Sequence, residues 1–174
     1  MAYGILHDYL FGQSIDAFSY FGAHFGYREY EVEVSPKKKE TKREYGVWFR
    51  LYAPLAEDVS VIGEFNGWDV RTHKMNRIDD CGAWEIFIPG LHDYQSYKYH
   101  FKNARGYYVD KADPFAFYSE LRPQTCSRLF DIEGFPWMDG DFMAQRTRNF
   151  DKPMSIYECH LGSWKGKVGD RYLS

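Results

Sequence analysis

A period of two, repeated along most of the chain, limits what this sequence can fold into. In VWFRLYA (residues 47–53), Val47, Phe49, Leu51 and Ala53 point one way and Trp48, Arg50 and Tyr52 the other, and Pro54 stops the run. Side chains alternate across a strand, so this pattern reads as a strand with one buried face. Val59, Val61, Gly63 and Phe65 alternate next, and Asn66-Gly67 is a turn signal. Residues 84–88 (WEIFI) make a third run, ended by Pro89-Gly90, and 97–101 (YKYHF) a fourth, with Lys98 and His100 opposite the tyrosines. A fifth run covers 106–109 and a sixth is expected over Cys126–Ile132. Short strands at close spacing with turn chemistry between them predict an all-β fold, a β-sandwich of general Ig-like form.

The flanks read differently. Ile5, Leu6, Tyr9 and Leu10 suit one short N-terminal helix, stopped at Gly12. Residues 18–34 read as extended, so 1–34 forms a lead-in. PKKKETKRE (36–44) holds five basic residues and no apolar one, and 35–44 is expected to be a charged, solvated loop or hairpin tip. The sandwich is expected over 45–132. Residues 133–152 break the rhythm and read as a linker with a short helix near 139–147. A new strand is expected over 154–161, at the start of a segment 153–174 that belongs to something else.

Composition removes several function classes. The net charge of −3 argues against a basic nucleic-acid binder. No apolar run approaches the roughly 20 residues of a membrane-spanning helix, and an N-terminus with Asp8 and no basic stretch does not read as a signal peptide. Cys81, Cys126 and Cys159 are widely spaced and read as reduced thiols, which favours a cytoplasmic setting. There is no phosphate loop and no dinucleotide fingerprint. Six scattered histidines form no metal pattern, so no metal or cofactor is expected. Cys159 and His160 would point to opposite faces of a strand and make a poor catalytic pair. Asp79-Asp80 and Asp139/Asp141 read as solvated turn carboxylates.

Aromatic residues make up 20% of the chain, more than a core needs. Trp68 follows a turn, where a large ring has little core to enter. Of the neighbours Tyr107 and Tyr108, one must face away from the core if both lie on a strand. An exposed indole stacks on the C–H patches of a sugar ring, while Lys and Asn bind its hydroxyl rim. Trp68, Asn66, Lys98 and Tyr107 are therefore candidates for a carbohydrate platform. In the alternative, Trp68 packs over the sandwich edge and Lys98 only solubilises it.

The same residues carry a family resemblance. Gly46–Pro54, Val59–Asp69, Gly82–Gly90, Tyr97–Tyr99 and Lys111–Phe117 resemble a family-48 carbohydrate-binding module. Asp8–Gly12 and Phe21–His24 upstream, and Ile156–Trp164 (IYECHLGSW) downstream, resemble the regions flanking that module in bacterial 1,4-α-glucan (glycogen) branching enzymes. The resemblance covers nearly the whole chain apart from the insert at 35–44. It implies an Ig-like (early-set) β-sandwich with a short N-terminal helix, followed by the first, truncated part of a family-13 catalytic barrel. It implies an α-glucan ligand, glycogen or maltooligosaccharides, and Trp68, Lys98 and Tyr107 correspond to an aromatic, a Lys and an aromatic that bind it in related modules. Two departures stand out: Tyr occupies 107 where the family has Trp, and no Asn occurs at 127–129. The catalytic carboxylates of such a barrel fall on later strands, so this chain is expected to be catalytically silent, with the missing barrel as its partner. As a lone edge, strand 154–161 is expected to pair with another copy or dock back. A free-standing glycogen-targeting module and a purely structural Ig-like domain are the competing readings.

Overall fold

The computed structural model describes residues 2–35, 38–78, 81–146, 153 and 155–160. The chain divides into two compact units, Met1–Phe135 and Pro136–Ser174. The first unit opens with helix α1 (Ala2–Leu10), and Gly12 comes after it with φ +69°. The strands among the described residues are β1 (Gly22–Ser35), β2 (Lys38–Tyr52), β3 (Glu57–Gly63), β4 (Asn76–Ile78), β5 (Ala83–Pro89), β6 (Ser96–Lys102), β7 (Tyr108–Lys111), β8 (Tyr118–Ser119) and β9 (Ser127–Arg128). They form two antiparallel sheets, ordered β1-β2-β5-β4 and β3-β6-β9-β8, with β7 also on β6. One edge of β6 takes β3. The other is shared by β9 at Tyr97 and β7 from Tyr99 onward.

Alternation decides which face each sheet buries. Val47, Phe49 and Leu51 of β2 meet Val59 and Val61 of β3 and Tyr97 and Tyr99 of β6 in one apolar core. Burial of such side chains contributes roughly 1.5–3 kcal/mol each. The rings need polar partners at this depth. The hydroxyls of Tyr97 and Tyr99 donate to the buried Asp113 carboxylate at 2.7 and 3.2 Å, and Trp84 Nε1 donates to the Ala53 carbonyl at 3.1 Å. Helix α1 closes a second cluster with Leu6, Tyr20 and Phe21, where the Tyr9 ring meets Phe21 at 4.8 Å and Tyr52 at 5.2 Å.

Several expectations from the pattern are corrected. Residues 38–44, expected as part of a charged loop, are strand: they extend β2 along β1 as a two-stranded ribbon. The charges face one another across it. Arg28 meets Glu44 at 2.7 Å, Arg43 meets Glu29 at 2.9 Å and Lys39 meets Glu31 at 2.8 Å. Residues 1–34, expected as a lead-in, supply α1 and the edge strand β1 to the first unit. The sixth strand shrinks to Ser127–Arg128, because Leu129 already bonds the Gln95 and Tyr94 backbone instead of continuing the ladder. β4 is a strand that the alternation does not announce. In the second unit α2 spans Gly140–Gln145. The strand expected over 154–161 is not formed: residues 155–160 have no regular structure and are exposed, and Met154 and Leu161 lie outside the described residues. Without a strand there, the edge invoked for self-association has no basis at 155–160. Asp79 and Asp80 also lie outside the described residues.

Candidate functional site

The outward face of the second sheet carries the candidate residues, and β6 is its axis. Lys98, His100 and Lys102 point away from the buried Tyr97 and Tyr99. The chain leaves β3 at Gly63, which pairs with Tyr97, and enters a single 3-10 turn, Glu64–Asn66. Glu64 Oε2 accepts the Ser96 N–H at 3.1 Å, so this turn is fastened to the start of β6.

Asn66 organises the turn from inside. Its Oδ1 accepts the Gly63 N–H at 2.9 Å, and its Nδ2 donates to the Val61 carbonyl at 3.0 Å and to His73 Nδ1 at 2.9 Å. His73 thus acts as an acceptor there, and burial pushes its pKa down, which favours the neutral ring. The Arg71 side chain and its backbone N–H hold the Asp69 carboxyl down to about 2. The Asn66 amide is committed to the loop and fixes the turn that carries Trp68, two residues on.

Gly67 has φ +60° and Trp68 itself φ +63°, a left-handed conformation that costs a residue with a side chain roughly 1–2 kcal/mol. The Trp68 N–H bonds the Gly63 carbonyl at 3.0 Å, and its side chain stays 40% exposed. Strain of this kind persists only where the surroundings impose it, as the Asn66 network does here.

Lys98 lies near this end of the sheet, half-buried, with Nζ donating to Thr125 Oγ1 at 2.8 Å. Tyr107 does not join it. Tyr107 sits in the Asn103–Tyr107 turn, before β7, and is 68% exposed. Its neighbour Tyr108 pairs with Lys102, four residues or roughly 13 Å along β6 from Lys98. Tyr108 is the ring that shares the Lys98 face. It lies flat on His100, with centroids 5.1 Å apart and planes 8° from parallel, and His100 is anchored by Asp110 at 2.7 Å. Tyr108, His100, Asp58, Val70, Arg71 and Lys74 line a concavity of about 410 Å³. The structure therefore puts Trp68 and Lys98 near one end of the face, Asn66 beneath Trp68, and Tyr108 rather than Tyr107 on the continuation. Sequence alternation could not choose between the adjacent tyrosines, because the choice depends on the register between β6 and β7.

Among the described residues no group of three or more His, Cys, Asp or Glu side chains gathers to hold a metal ion. No helix among them is long and apolar enough to cross a membrane.

Comparison with known proteins adds an independent line. The family model described as "Carbohydrate-binding module 48 (Isoamylase N-terminal domain)" matches residues 29–116. The 1,4-alpha-glucan branching enzyme GlgB of Desulfitobacterium hafniense is 40% identical over 170 residues, covering 95% of this chain and 25% of that protein. GlgB of Bacillus subtilis is 38% identical over 173 residues, covering 97% and 26%. The chain thus spans about a quarter of the length of these curated relatives. Among solved structures, a pullulanase from Bacillus acidopullulyticus is similar over 64% of this chain and 12% of its own, at 18% identity and a TM-score of 0.46.

Proposed function

The chain belongs to the carbohydrate-binding module 48 family, and from that premise we propose that it is the α-glucan-binding N-terminal module of a 1,4-α-glucan branching enzyme. In this reading residues up to about 132 form an Ig-like, early-set sandwich. Residues 133–152 connect it to a family-13 barrel whose first segment starts near 153, and the whole protein is cytoplasmic and builds α-1,6 branches into glycogen. The fragment itself performs no catalysis. Its partners are a glucan chain and the barrel that comes after it.

The observation that carries the reading is Trp68: a large ring kept 40% exposed on a strained, left-handed backbone, beneath which a half-buried amide network fixes the turn. Packing alone would draw such a ring inward. An exposed indole presents a flat apolar surface to the C–H face of a pyranose, and the Lys98 ammonium supplies donors to the hydroxyl rim. Tyr108, backed by His100, offers a second flat surface farther along β6. The ligand is neutral, so affinity rests on stacking and hydrogen bonds and is insensitive to salt.

Native gels cast with and without glycogen test the reading. The unmodified chain is retarded by glycogen, and Trp68→Ala runs as in a plain gel while keeping its thermal midpoint within a few degrees. Equal retardation of both proteins would remove Trp68 from the site. No retardation of either would leave the module as a structural support for the barrel.

A further inference from the structure

We propose that the open edge of β2 at residues 38–44 is a self-recognition strand, which pairs antiparallel with the same edge of a second copy of this chain and joins two modules as a closed dimer.

β2 outruns its neighbour on one side. β5 covers it only from Gly46 to Tyr52, while β1 stays beside it down to Lys38. Along 38–44 the edge away from β1 therefore carries no strand among the described residues. Its backbone groups can be assigned. In an antiparallel ladder alternate residues turn both N–H and C=O to the same side. The Tyr45 carbonyl accepts the Gly90 N–H at 3.2 Å and the Ala53 N–H donates to the Gly82 carbonyl at 2.9 Å, so the odd-numbered residues of β2 face the β5 side. Lys39, Thr41 and Arg43 thus leave their N–H and C=O groups at the open edge. Such a row is a template for another strand.

The side chains select which strand. Lys38, Glu40, Lys42 and Glu44 share one face of the ribbon. With a twofold axis at Thr41, Glu40 lies opposite Lys42 of the second copy and Lys38 opposite Glu44 of the second copy, and symmetry repeats both pairs. Opposite charges at directly facing positions, with Cβ atoms roughly 4.5–5.5 Å apart, attract. Lys42 gains most. Lys38, Lys39 and Arg43 already hold Glu40, Glu31 and Glu29 at 2.6, 2.8 and 2.9 Å, while Lys42 has no such partner among the described residues. On the other face Thr41 meets its own copy. Lys39 and Arg43 face each other there, but Glu31 and Glu29 of their own chains neutralise them.

The register is selective. An axis at Lys42 sets Lys42 on Lys42 and Glu40 on Glu44. An axis at Glu40 sets Glu40 on Glu40 and Lys38 on Lys42. Like charges directly opposite repel, so both slipped registers are disfavoured. The open edge of β1 fails the same test: Glu29, Glu31 and Glu33 share a face, and an axis at Glu29, Tyr30 or Glu31 places Glu on Glu. The paired stretch also stops short of Gly46, so the second strand does not compete with β5. A short strand pair buries less area than a standard interface, and the dimer is expected to dissociate at a concentration on the order of 10 μM.

Sedimentation velocity of the 174-residue chain in low salt, from about 5 to about 200 μM, tests the proposal. The expected result is a monomer–dimer equilibrium that molar sodium chloride weakens roughly fivefold, because the ion pairs are exposed. Glu40→Lys puts like charges against Lys42 and should weaken the dimer roughly tenfold. Adding Lys42→Glu to Glu40→Lys swaps the pair and should restore it. Thr41→Pro removes an N–H that β1 does not use, so it should leave the circular dichroism unchanged and the protein monomeric. If Thr41→Pro does not fold, the single and double charge variants decide alone. A chain that stays monomeric throughout the range would overturn the proposal. So would a dimer indifferent to Glu40→Lys, or a double variant that stays monomeric. Species that grow beyond the dimer with concentration would mean head-to-tail addition of β1 to β2, an open chain of copies, and would overturn it as well.

Discussion

The two sheets share one core but finish their outer faces in opposite ways. On the first sheet every large outward group named here is matched by another from the same face. The Arg50 guanidinium lies over Tyr20 and Trp48, 4.8 and 5.0 Å from their centroids, and bonds Glu85. Trp48 meets Phe87 at 5.0 Å, and Arg28 covers Phe87 at 5.2 Å while pairing with Glu44. On the second sheet Lys98 and Lys102 are also paired, with Thr125 and Glu57, but large rings stay open. Trp68 is held out by strain, and Tyr108 and Tyr118 are still exposed beside the rings that back them. A face whose rings and cations saturate one another stabilises the fold. A face whose rings are left exposed is available to a ligand. The difference lies in pairing, since both faces draw on Trp, Tyr and Arg.

The contrast sharpens if substitutions on the two faces move different observables. Asn66→Ala has the largest expected effect. It strips partners from the Gly63 N–H and the Val61 carbonyl, so it should cost roughly 3 kcal/mol in urea unfolding and also abolish retardation by glycogen. Arg50→Ala should cost about 2 kcal/mol, through Glu85 left half-buried and two rings uncovered, yet leave glycogen retardation unchanged. Lost retardation in a folded Arg50→Ala protein would break the assignment of roles to the two faces. Trp68→Gly should raise stability by about 1 kcal/mol, since glycine accepts the left-handed backbone freely, and still lose retardation. An unchanged or lower urea midpoint would mean that Trp68 is packed rather than displayed.

The smallest effect concerns the core between the faces. Burial holds the Asp113 carboxyl above its ordinary range, even though Tyr97, the Phe115 N–H and Tyr99 donate to it. The folded chain therefore keeps this proton to higher pH than the unfolded chain. The associated stability is full below about pH 4, the unfolded-state value, and declines as pH rises from there. Asp113→Asn should flatten that slope in urea midpoints measured from pH 4 upward. Glycogen retardation should stay as it is, because Asp113 reaches neither outer face.

Much of the scaffold is legible in the residues. The alternation in β2, β3 and β6 names the buried face correctly at Val47, Phe49, Val61, Tyr97 and Tyr99, because period two follows from strand geometry alone. Gly12 and the Asn66-Gly67 turn stand where their backbone freedom is used. The ribbon at 38–44 is hidden in the sequence because a run of charges looks solvated until its partners Glu29 and Glu31 lie opposite. The strand expected over 154–161 is not formed at 155–160, where Ile156 and Tyr157 are exposed: alternation marks a face, but a strand also needs a partner to pair with.

At the candidate site the split is finer. Trp68 and Lys98 stand out in the sequence as an awkward ring after a turn and a polar residue in a strand. Asn66 reads there as a ligand group, but tertiary contacts occupy both ends of its amide. Tyr108 carries no local signal, since it depends on cross-strand register. By itself the sequence determined the core strands, the buried faces of β2, β3 and β6 and the turn that displays Trp68, because those follow from local periodicity and backbone chemistry. Only the tertiary structure decided which tyrosine shares a face with Lys98 and which charges cancel. Those are properties of pairs brought together from distant parts of the chain, and no single segment contains them.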